Sequence, residues 1–138
     1  AFTKEPFKGN PAAVCILQDK LEDSILKSIA SEMNLSETAF LYSLEEKPLK
    51  ETRTFSLRWF TPIVEVPLCG HATLAAATVL FYDVNVLKDE LIFKTKSGDL
   101  SAKKEKNGVC LNFPLDVPMR IDPRKISLVL LALLVLKM

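Results

Sequence analysis

The sequence predicts a single domain of the α+β class, and three observations support that prediction. Several short apolar runs lie between turn residues, which is typical of strands. Residues 72–81 predict a helix that is apolar on nearly every side, and such a helix has to be enclosed by other elements. A second helix upstream is amphipathic, and 138 residues provide one hydrophobic core but hardly two. We therefore expect strands around one buried central helix, with the second helix outside.

The first half of the chain predicts three strands and the amphipathic helix. Residues 12–17 form an apolar run after Asn10-Pro11 and predict the first strand. Asp19 is the expected cap of a helix that extends to residue 34. Residues 38–44 and 52–60 predict two further strands. The expected apolar stripe of the helix recurs every four residues and consists of Leu21, Ile25, Ile29 and Met33.

The second half predicts the enclosed helix followed by a three-stranded meander. The meander strands are expected at residues 90–96, 99–104 and 109–113. The pair Ser97-Gly98 marks the first turn, and Asn107-Gly108 is a strong hairpin signal between the last two strands.

The C-terminal residues 119–138 differ from residues 1–118, which we take as the domain. Residues 126–136 are eleven apolar residues without an amphipathic period, and about 20 are needed to cross a bilayer. A buried strand or helix is the preferred interpretation, and an anchor for a membrane or a partner is the alternative. A third possibility is that this atypical segment is not a native continuation of the domain.

The composition favours a soluble globular protein and argues against several classes of partner. Apolar residues make up 49% of the chain and charged residues 25%, with a net charge of +1. Because no basic stripe is present, we expect no nucleic-acid partner, and we expect no membrane partner. Cys15, Cys69 and Cys110 are far apart without metal-ligand spacing, which predicts free thiols, a cytoplasmic location, no metal and no cofactor. The start at Ala1 is taken as trimmed and not as a targeting signal.

Two segments contain residues that could carry chemistry. Glu37 is predicted at the junction of a helix and a strand, where a carboxylate in an apolar pocket would suit a general acid/base. Gly70 and His71 precede the enclosed helix, whose free N–H groups suit a substrate anion, and Gly70 would let a ligand approach the backbone closely. The ordinary alternatives are a solvated turn carboxylate, a structural histidine and a core cysteine at Cys69. The functional alternative for Cys69 is a thiolate base whose pKa is lowered at the helix N-terminus.

Three segments in order resemble the N-terminal half of the PhzF-like phenazine-biosynthesis family, especially its eukaryotic phenazine biosynthesis-like domain-containing members. They are FKGNPAAV (residues 7–14), EMNLSETAF (32–40) and LRWFTPIVEVPLCGHATLAAA (57–77), and the resemblance covers residues 1–118. It implies the diaminopimelate-epimerase-like fold of two pseudo-symmetric halves, with the active site between them. Each half is a curved, mostly antiparallel sheet wrapped round a central helix.

The resemblance also implies roles for individual residues. Family members of known activity isomerise a dihydro-hydroxyanthranilate, moving a proton between carbons without a cofactor. Glu37 takes the place of the family's general base, and His71 that of the motif histidine near the substrate. Cys69 is a possible second base, because related epimerases and racemases keep a catalytic cysteine there, although Gly-Asn typically follows it in those enzymes. The predicted substrate-binding residues are Asn10, Ser36, Gly70 and Ala72.

The chain departs from the family in lacking a match to its second half, which supplies another acid and an anion-binding turn. One hypothesis is a cofactor-independent isomerase of a small carboxylate substrate, for which this chain provides half of the site. The other is a non-catalytic binding protein or homodimer, in which a second copy packs where the missing half would lie. A thiol-dependent racemase using Cys69 is a third, weaker hypothesis.

Overall fold

The computed structural model of the protein describes residues 1–3, 5–115, 117 and 120. Within these residues a seven-stranded sheet packs against two helices. The helices are α1 (Asp23–Met33) and α2 (Gly70–Thr78), and a π-helical turn at Val79–Asp83 continues α2. The strands are β1 (Ala13–Ile16), β2 (Thr38–Ser43), β3 (Thr54–Phe60), β4 (Glu65–Val66), β5 (Glu90–Thr95), β6 (Gly98–Glu105) and β7 (Gly108–Asn112).

The sheet is curled and mixed, as a half-barrel. Its main path runs β1-β2-β3-β5-β6-β7, and β4 pairs with the end of β3. The β1–β2 and β3–β5 pairs are parallel, and the other four pairs are antiparallel. The predicted α+β class is therefore confirmed, and the mostly antiparallel sheet contains two parallel pairs.

The two parallel pairs explain why the helices lie on opposite faces of the sheet. Parallel neighbours need a crossover connection, and α1 joins β1 to β2 while α2 lies between β3 and β5. Both crossovers advance the same way across the sheet, but β1 and β3 point in opposite directions. Because such crossovers are right-handed, strands of opposite direction place their helices on opposite faces.

Helix α2 packs on the face that contains the main core. Its Ala72, Thr73, Ala76 and Ala77 are fully buried, in contact with a cluster that includes Leu57. Small side chains let the helix approach the sheet closely. On its other side Leu74 and Ala75 are half-buried and Thr78 is exposed. Enclosure of α2 is therefore seen on the sheet-facing side, and burial of its remaining side stays a prediction.

Helix α1 lies outside, on the opposite face, as expected. Leu26 and Ala30 are its buried residues, and they pack against Phe40 and Phe60. The predicted stripe is right in part: Leu21 and Ile29 pack against this cluster, whereas Ile25 and Met33 are each 47% exposed. Ile25 lies about 100° round the helix from the buried Leu26, and Met33 is the last residue of the helix. The helix also begins at Asp23, after Glu22 and not after the expected cap Asp19.

The meander is present, with its turns shifted by one residue from the prediction. Thr95 pairs with Gly98 and Glu105 pairs with Gly108, so the two-residue loops are Lys96-Ser97 and Lys106-Asn107. Gly98 follows its loop with φ at +91°, a conformation that favours glycine.

Two features fall outside the predicted elements. Strand β4 is only two residues long and carries no periodic signal, and it was not predicted. The apolar residues 126–136 lie outside the described residues, so their predicted burial and the boundary at residue 118 stay predictions. Among the described residues, no helix has the length and apolar character that crossing a membrane requires.

Candidate active site

The candidate site lies where the loop before β2 meets the first turn of α2. Helix α1 ends at Met33, and Asn34 takes the left-handed conformation (φ 49°), its N–H donating to the Ala30 carbonyl at 3.1 Å. The chain then reverses into β2, and the carbonyl of Glu37 accepts a hydrogen bond from the N–H of Ala13 at 3.2 Å. Glu37 is thereby fixed at the end of the paired strands β1 and β2, beside the start of the helix that packs on them.

His71 is the centre of a short polar chain. Its Nε2 lies 3.4 Å from Oε2 of Glu37 and 3.3 Å from the hydroxyl oxygen of Ser36. Its Nδ1 lies 3.4 Å from Sγ of Cys69. The imidazole therefore contacts both the carboxylate and the thiol, through different ring nitrogens. The structure brings together four predicted site residues that are up to 35 positions apart in the chain.

Glu37 has an unsatisfied oxygen. Its side chain is 20% exposed and that of His71 is 10% exposed, and Oε2 of Glu37 is fully buried without a hydrogen-bond partner among the described residues. Buried polar atoms are nearly always hydrogen-bonded, because leaving one unpaired costs about 1–3 kcal/mol. An unpaired buried oxygen in this position is therefore available to a ligand or a proton.

Cys69 is placed in the cluster, but its thiol is not the activated group expected at a helix N-terminus. Burial, the largest influence, raises the pKa of Cys69, and the charge of Glu37 also raises it. Hydrogen bonds from the backbone N–H groups of Ala72 and His71 lower it but do not compensate. The alternative of a thiolate whose pKa is lowered at the helix N-terminus is therefore contradicted, because desolvation exceeds the effect of the helix end. The burial of Cys69 agrees with the ordinary interpretation of a core cysteine. A role as second base stays a prediction.

The predicted substrate-binding residues differ in how they face the site. Gly70 is exposed at the start of α2, and a Cβ added there would meet only the ring of Phe113, at 4.0 Å. The side chain of Ala72 is fully buried in the core, so its predicted contact with substrate would have to come from its backbone. Asn10 is exposed, in the segment before β1. The carbonyl oxygen of the next residue, Pro11, lies 3.5 Å from the hydroxyl oxygen of Ser36. Contact of these residues with a substrate stays a prediction.

Two aromatic residues beside the site were missed in the sequence. Phe2 lies with its ring centroid 6.4 Å from that of His71, and Phe113 is next to Gly70. The close approach of the first residues depends on Gly9, where a Cβ would meet the Ala1 carbonyl oxygen at 2.4 Å. No local pattern marks either phenylalanine, since both come to the site from sequence-distant segments.

A groove of about 930 Å³ runs along the side of α2 that the other described residues leave open. Leu74, Ala75 and Val79 form its floor, and Phe2 and Val109 line its sides. Glu37 and His71 do not line this groove, so it is adjacent to the candidate site and not the site itself.

A second group of charged side chains, on the α1 face, is fully paired. Arg58 donates to both carboxylate oxygens of Glu65 at 2.7 and 2.8 Å and to Asp23 at 2.8 Å. Lys96 also pairs with Glu65. Hydrogen bonds from Arg58 hold the pKa of Glu65 below its usual range. This group stabilises the fold and offers no free partner for a substrate.

Comparisons with known proteins agree on one family. The family model for phenazine biosynthesis-like proteins (PhzC-PhzF) matches residues 1–134. A Bos taurus phenazine biosynthesis-like domain-containing protein is 53% identical over 116 residues, which are 83% of this chain and 40% of that protein. A Halalkalibacterium halodurans protein named an uncharacterized isomerase is 49% identical over 119 residues, 86% of this chain and 42% of that protein.

A solved structure gives the same result for the fold. The crystal structure of a PhzF-family phenazine biosynthesis protein from Enterococcus faecalis is 43% identical, with a TM-score of 0.75. The match covers 92% of this chain and 47% of that one. The chain thus spans about 40% of the length of the curated relatives it matches. With its three motifs and its curled sheet, the chain belongs to the phenazine biosynthesis-like (PhzC-PhzF) family.

Proposed function

We propose that this chain provides half of the active site of a cofactor-independent isomerase that shifts a proton on a small, carboxylate-bearing substrate. The observation that carries the proposal is Oε2 of Glu37, buried, unpaired and 3.4 Å from Nε2 of His71. The relatives of this chain include a bacterial protein named an uncharacterized isomerase, and that name supports the proposed class of reaction.

Glu37 is the group that moves the proton. Its carboxylate takes a proton from one substrate carbon, which leaves the electron pair delocalised into the substrate, and returns it to another carbon. Atoms and electrons balance without an oxidant or a cofactor. His71 contacts the same oxygen and stabilises the charge that the carboxylate gains when it releases the proton.

The start of α2 is the proposed site for the substrate carboxylate. Gly70 is exposed there, and the open space at its Cβ position allows a ligand to approach the backbone. Phe2 and Phe113 would then flank the reacting part of the substrate with apolar surface. The opposing acid, on the far side of the substrate, is expected from the part of the relatives that this chain does not span.

Substitution of Glu37 tests this proposal in a protein completed to the length of the curated relatives. Dihydro-hydroxyanthranilate, incubated in deuterated water and followed by NMR, reports both isomerisation and deuterium uptake at carbon. We expect Glu37→Gln to lower the rate at least about 1000-fold, because the amide cannot accept the proton. Glu32→Gln, at an exposed position of α1, is the matched control. Turnover by Glu37→Gln at the unsubstituted rate would refute the role.

The uncovered side of α2 supports a second candidate function, a homodimer that acts by binding. The groove of about 930 Å³ has an apolar floor, and in this chain alone nothing among the described residues covers it. A second copy fits it best, because two copies related by a two-fold axis can each cover the groove of the other.

Light scattering of this chain after gel filtration tests the homodimer. A dimer predicts twice the 15.4 kDa mass of one chain, and Leu74→Lys on the groove floor should return it to the single-chain mass. Lys106→Ala on the groove rim is the control and should leave the mass doubled. A folded chain that remains at 15.4 kDa at high concentration would exclude this candidate.

A further inference from the structure

Glu37, Cys69 and His71 form a group that the proposed isomerase chemistry does not fully use. One donor atom from each residue lies within 4.8 Å of the others. Carboxylate oxygen, thiolate sulfur and imidazole nitrogen are the three ligand types that proteins use for zinc. In the part of the chain that the structure describes, this is the one group of three or more such residues so arranged.

The separations are close to those a tetrahedral ion requires. Bonds of about 2.0–2.3 Å at tetrahedral angles place ligand atoms about 3.3–3.8 Å apart. Sγ of Cys69 and Nδ1 of His71 are already 3.4 Å apart. The contact of Glu37 Oε2 at 3.4 Å is with the other ring nitrogen, Nε2, and the three donor atoms lie within 4.8 Å of one another. To share an ion with Sγ and Nδ1, the carboxylate therefore has to approach by about 1 Å. Glu37 has a flexible side chain, and its Oε2 lacks a hydrogen-bond partner among the described residues.

The supporting structure holds two of the ligands in place. Cys69 and His71 flank Gly70 at the start of α2, and the Thr73 hydroxyl donates to the Cys69 carbonyl at 2.6 Å. Glu37 approaches from a separate element, anchored through its carbonyl to Ala13. Ligands from two rigid elements give a site that is largely formed before the ion binds.

We infer that Glu37, Cys69 and His71 bind one zinc ion, with the fourth position left to water, and that zinc inhibits the chemistry of the same site. The inhibition rests on the proposed function, because a bound ion takes the oxygen of Glu37 that would move the proton. The binding itself does not depend on that function. Coordination releases the thiol proton of Cys69 to solvent, so the ion is held by a thiolate, a carboxylate and a neutral imidazole.

Cobalt(II) is the first probe, because thiolate-bound cobalt gives a near-ultraviolet charge-transfer band that no oxygen or nitrogen ligand produces. This chain, kept reduced with a non-thiol phosphine, should develop that band at one equivalent of cobalt and lose it on adding one equivalent of zinc. Cys69→Ser should abolish the band and weaken zinc binding at least about 100-fold. The matched control is the double variant Cys15→Ser/Cys110→Ser, which removes the other two thiols and should leave the band intact.

The outcomes separate the two proposals. The zinc site would be refuted if the cobalt band survived in Cys69→Ser. It would also be refuted if neither Cys69→Ser nor His71→Ala changed the zinc affinity, and both results are independent of enzyme activity. Circular dichroism of each variant confirms that loss of binding is not loss of fold. In the completed enzyme, zinc should inhibit the unsubstituted protein, and removal of the zinc with a chelator should restore its activity. Zinc binding without inhibition would refute the regulatory part alone, and an inactive enzyme that still binds zinc would count against the isomerase alone.

Discussion

Glu65 and Glu37 are both largely buried carboxylates beside a cation or a potential cation, yet their surroundings are opposite. The side chain of Glu65 is 9% exposed, Arg58 donates a hydrogen bond to each of its oxygens, and Lys96 pairs with one of them. The side chain of Glu37 is 20% exposed, and its buried Oε2 has no hydrogen-bond partner among the described residues.

The difference separates a structural carboxylate from one available for chemistry. Arg58 is always charged and presents a planar fork, so it fixes Glu65 as an anion and leaves it no proton to exchange. His71 offers Glu37 one ring nitrogen, at 3.4 Å, and not a planar fork that contacts both oxygens. A satisfied charge network stabilises the fold, whereas an unsatisfied buried carboxylate costs stability, which agrees with the proposal that Glu37 meets a ligand.

The largest expected effect on stability comes from breaking the satisfied pair. Arg58→Met should lower the free energy of unfolding by about 2–3 kcal/mol, because Glu65 would stay buried with only Lys96 for compensation and the stacking on Phe60, at 5.0 Å, is lost. Glu37→Gln should change it by about 0.5 kcal/mol or less, since no hydrogen bond of Oε2 is removed. Urea unfolding followed by tryptophan fluorescence measures both.

Lys8→Met serves as the control for that comparison. Lys8 pairs with Glu5, but their side chains are 72% and 67% exposed, so its loss should cost about 0.5 kcal/mol or less. A loss in Glu37→Gln as large as in Arg58→Met would mean that Glu37 also has a structural role, and the comparison would fail.

A smaller effect is expected on the way the free energy of unfolding changes when the pH is lowered. The pKa of Glu65 is lowered in the folded chain, chiefly by hydrogen bonds from Arg58. Because the unfolded chain binds the proton more readily, the stabilisation from Glu65 is present above pH 4.5 and lost as pH falls through the folded pKa. Glu65→Gln should therefore lose less stability than the unsubstituted protein when the pH is lowered below 4.5.

Glu45 is a second carboxylate that should make the stability of the folded chain fall at low pH, and the same pH series reports its effect. Desolvation raises the pKa of Glu45, but hydrogen bonds from Thr54 and the backbone of Arg53 outweigh it and lower that pKa to about 2. The exposed neighbour Glu46 provides the control, and Glu46→Gln should follow the unsubstituted profile. An equally shallow profile in Glu46→Gln and Glu65→Gln would contradict the assignment.

Much of the fold could be predicted because its signals are local. The strands at β1, β2 and β3 and the meander follow from short apolar runs and turn residues, which depend on neighbours along the chain. The buried face of α1 was predicted only in part, because Leu26 and Ala30 are four apart just as Ile25 and Ile29 are, and the way the helix lies on the sheet decides which row is buried. Strand β4 was missed because two residues carry no period.

The candidate site was predicted in its residues but not in its contacts. The motif resemblance pointed to Glu37, Cys69 and His71, and the structure brings all three together. No sequence pattern indicated that they could share a metal ion, since the spacing of one histidine and scattered thiols matches no known ligand motif. Phe2 and Phe113 were also missed, because only the tertiary packing of two distant segments places them beside α2.

The amino-acid sequence by itself determined the family, the α+β class and an apolar helix that needs cover, because these depend on residue type and local order. Only the tertiary structure decided which carboxylate is paired and which is free. Arg58 lies seven positions from Glu65, on a neighbouring strand, and His71 lies 34 positions from Glu37. Desolvation and hydrogen bonding act through space, so the chemical character of each carboxylate is set by the fold and not by its neighbours in the chain.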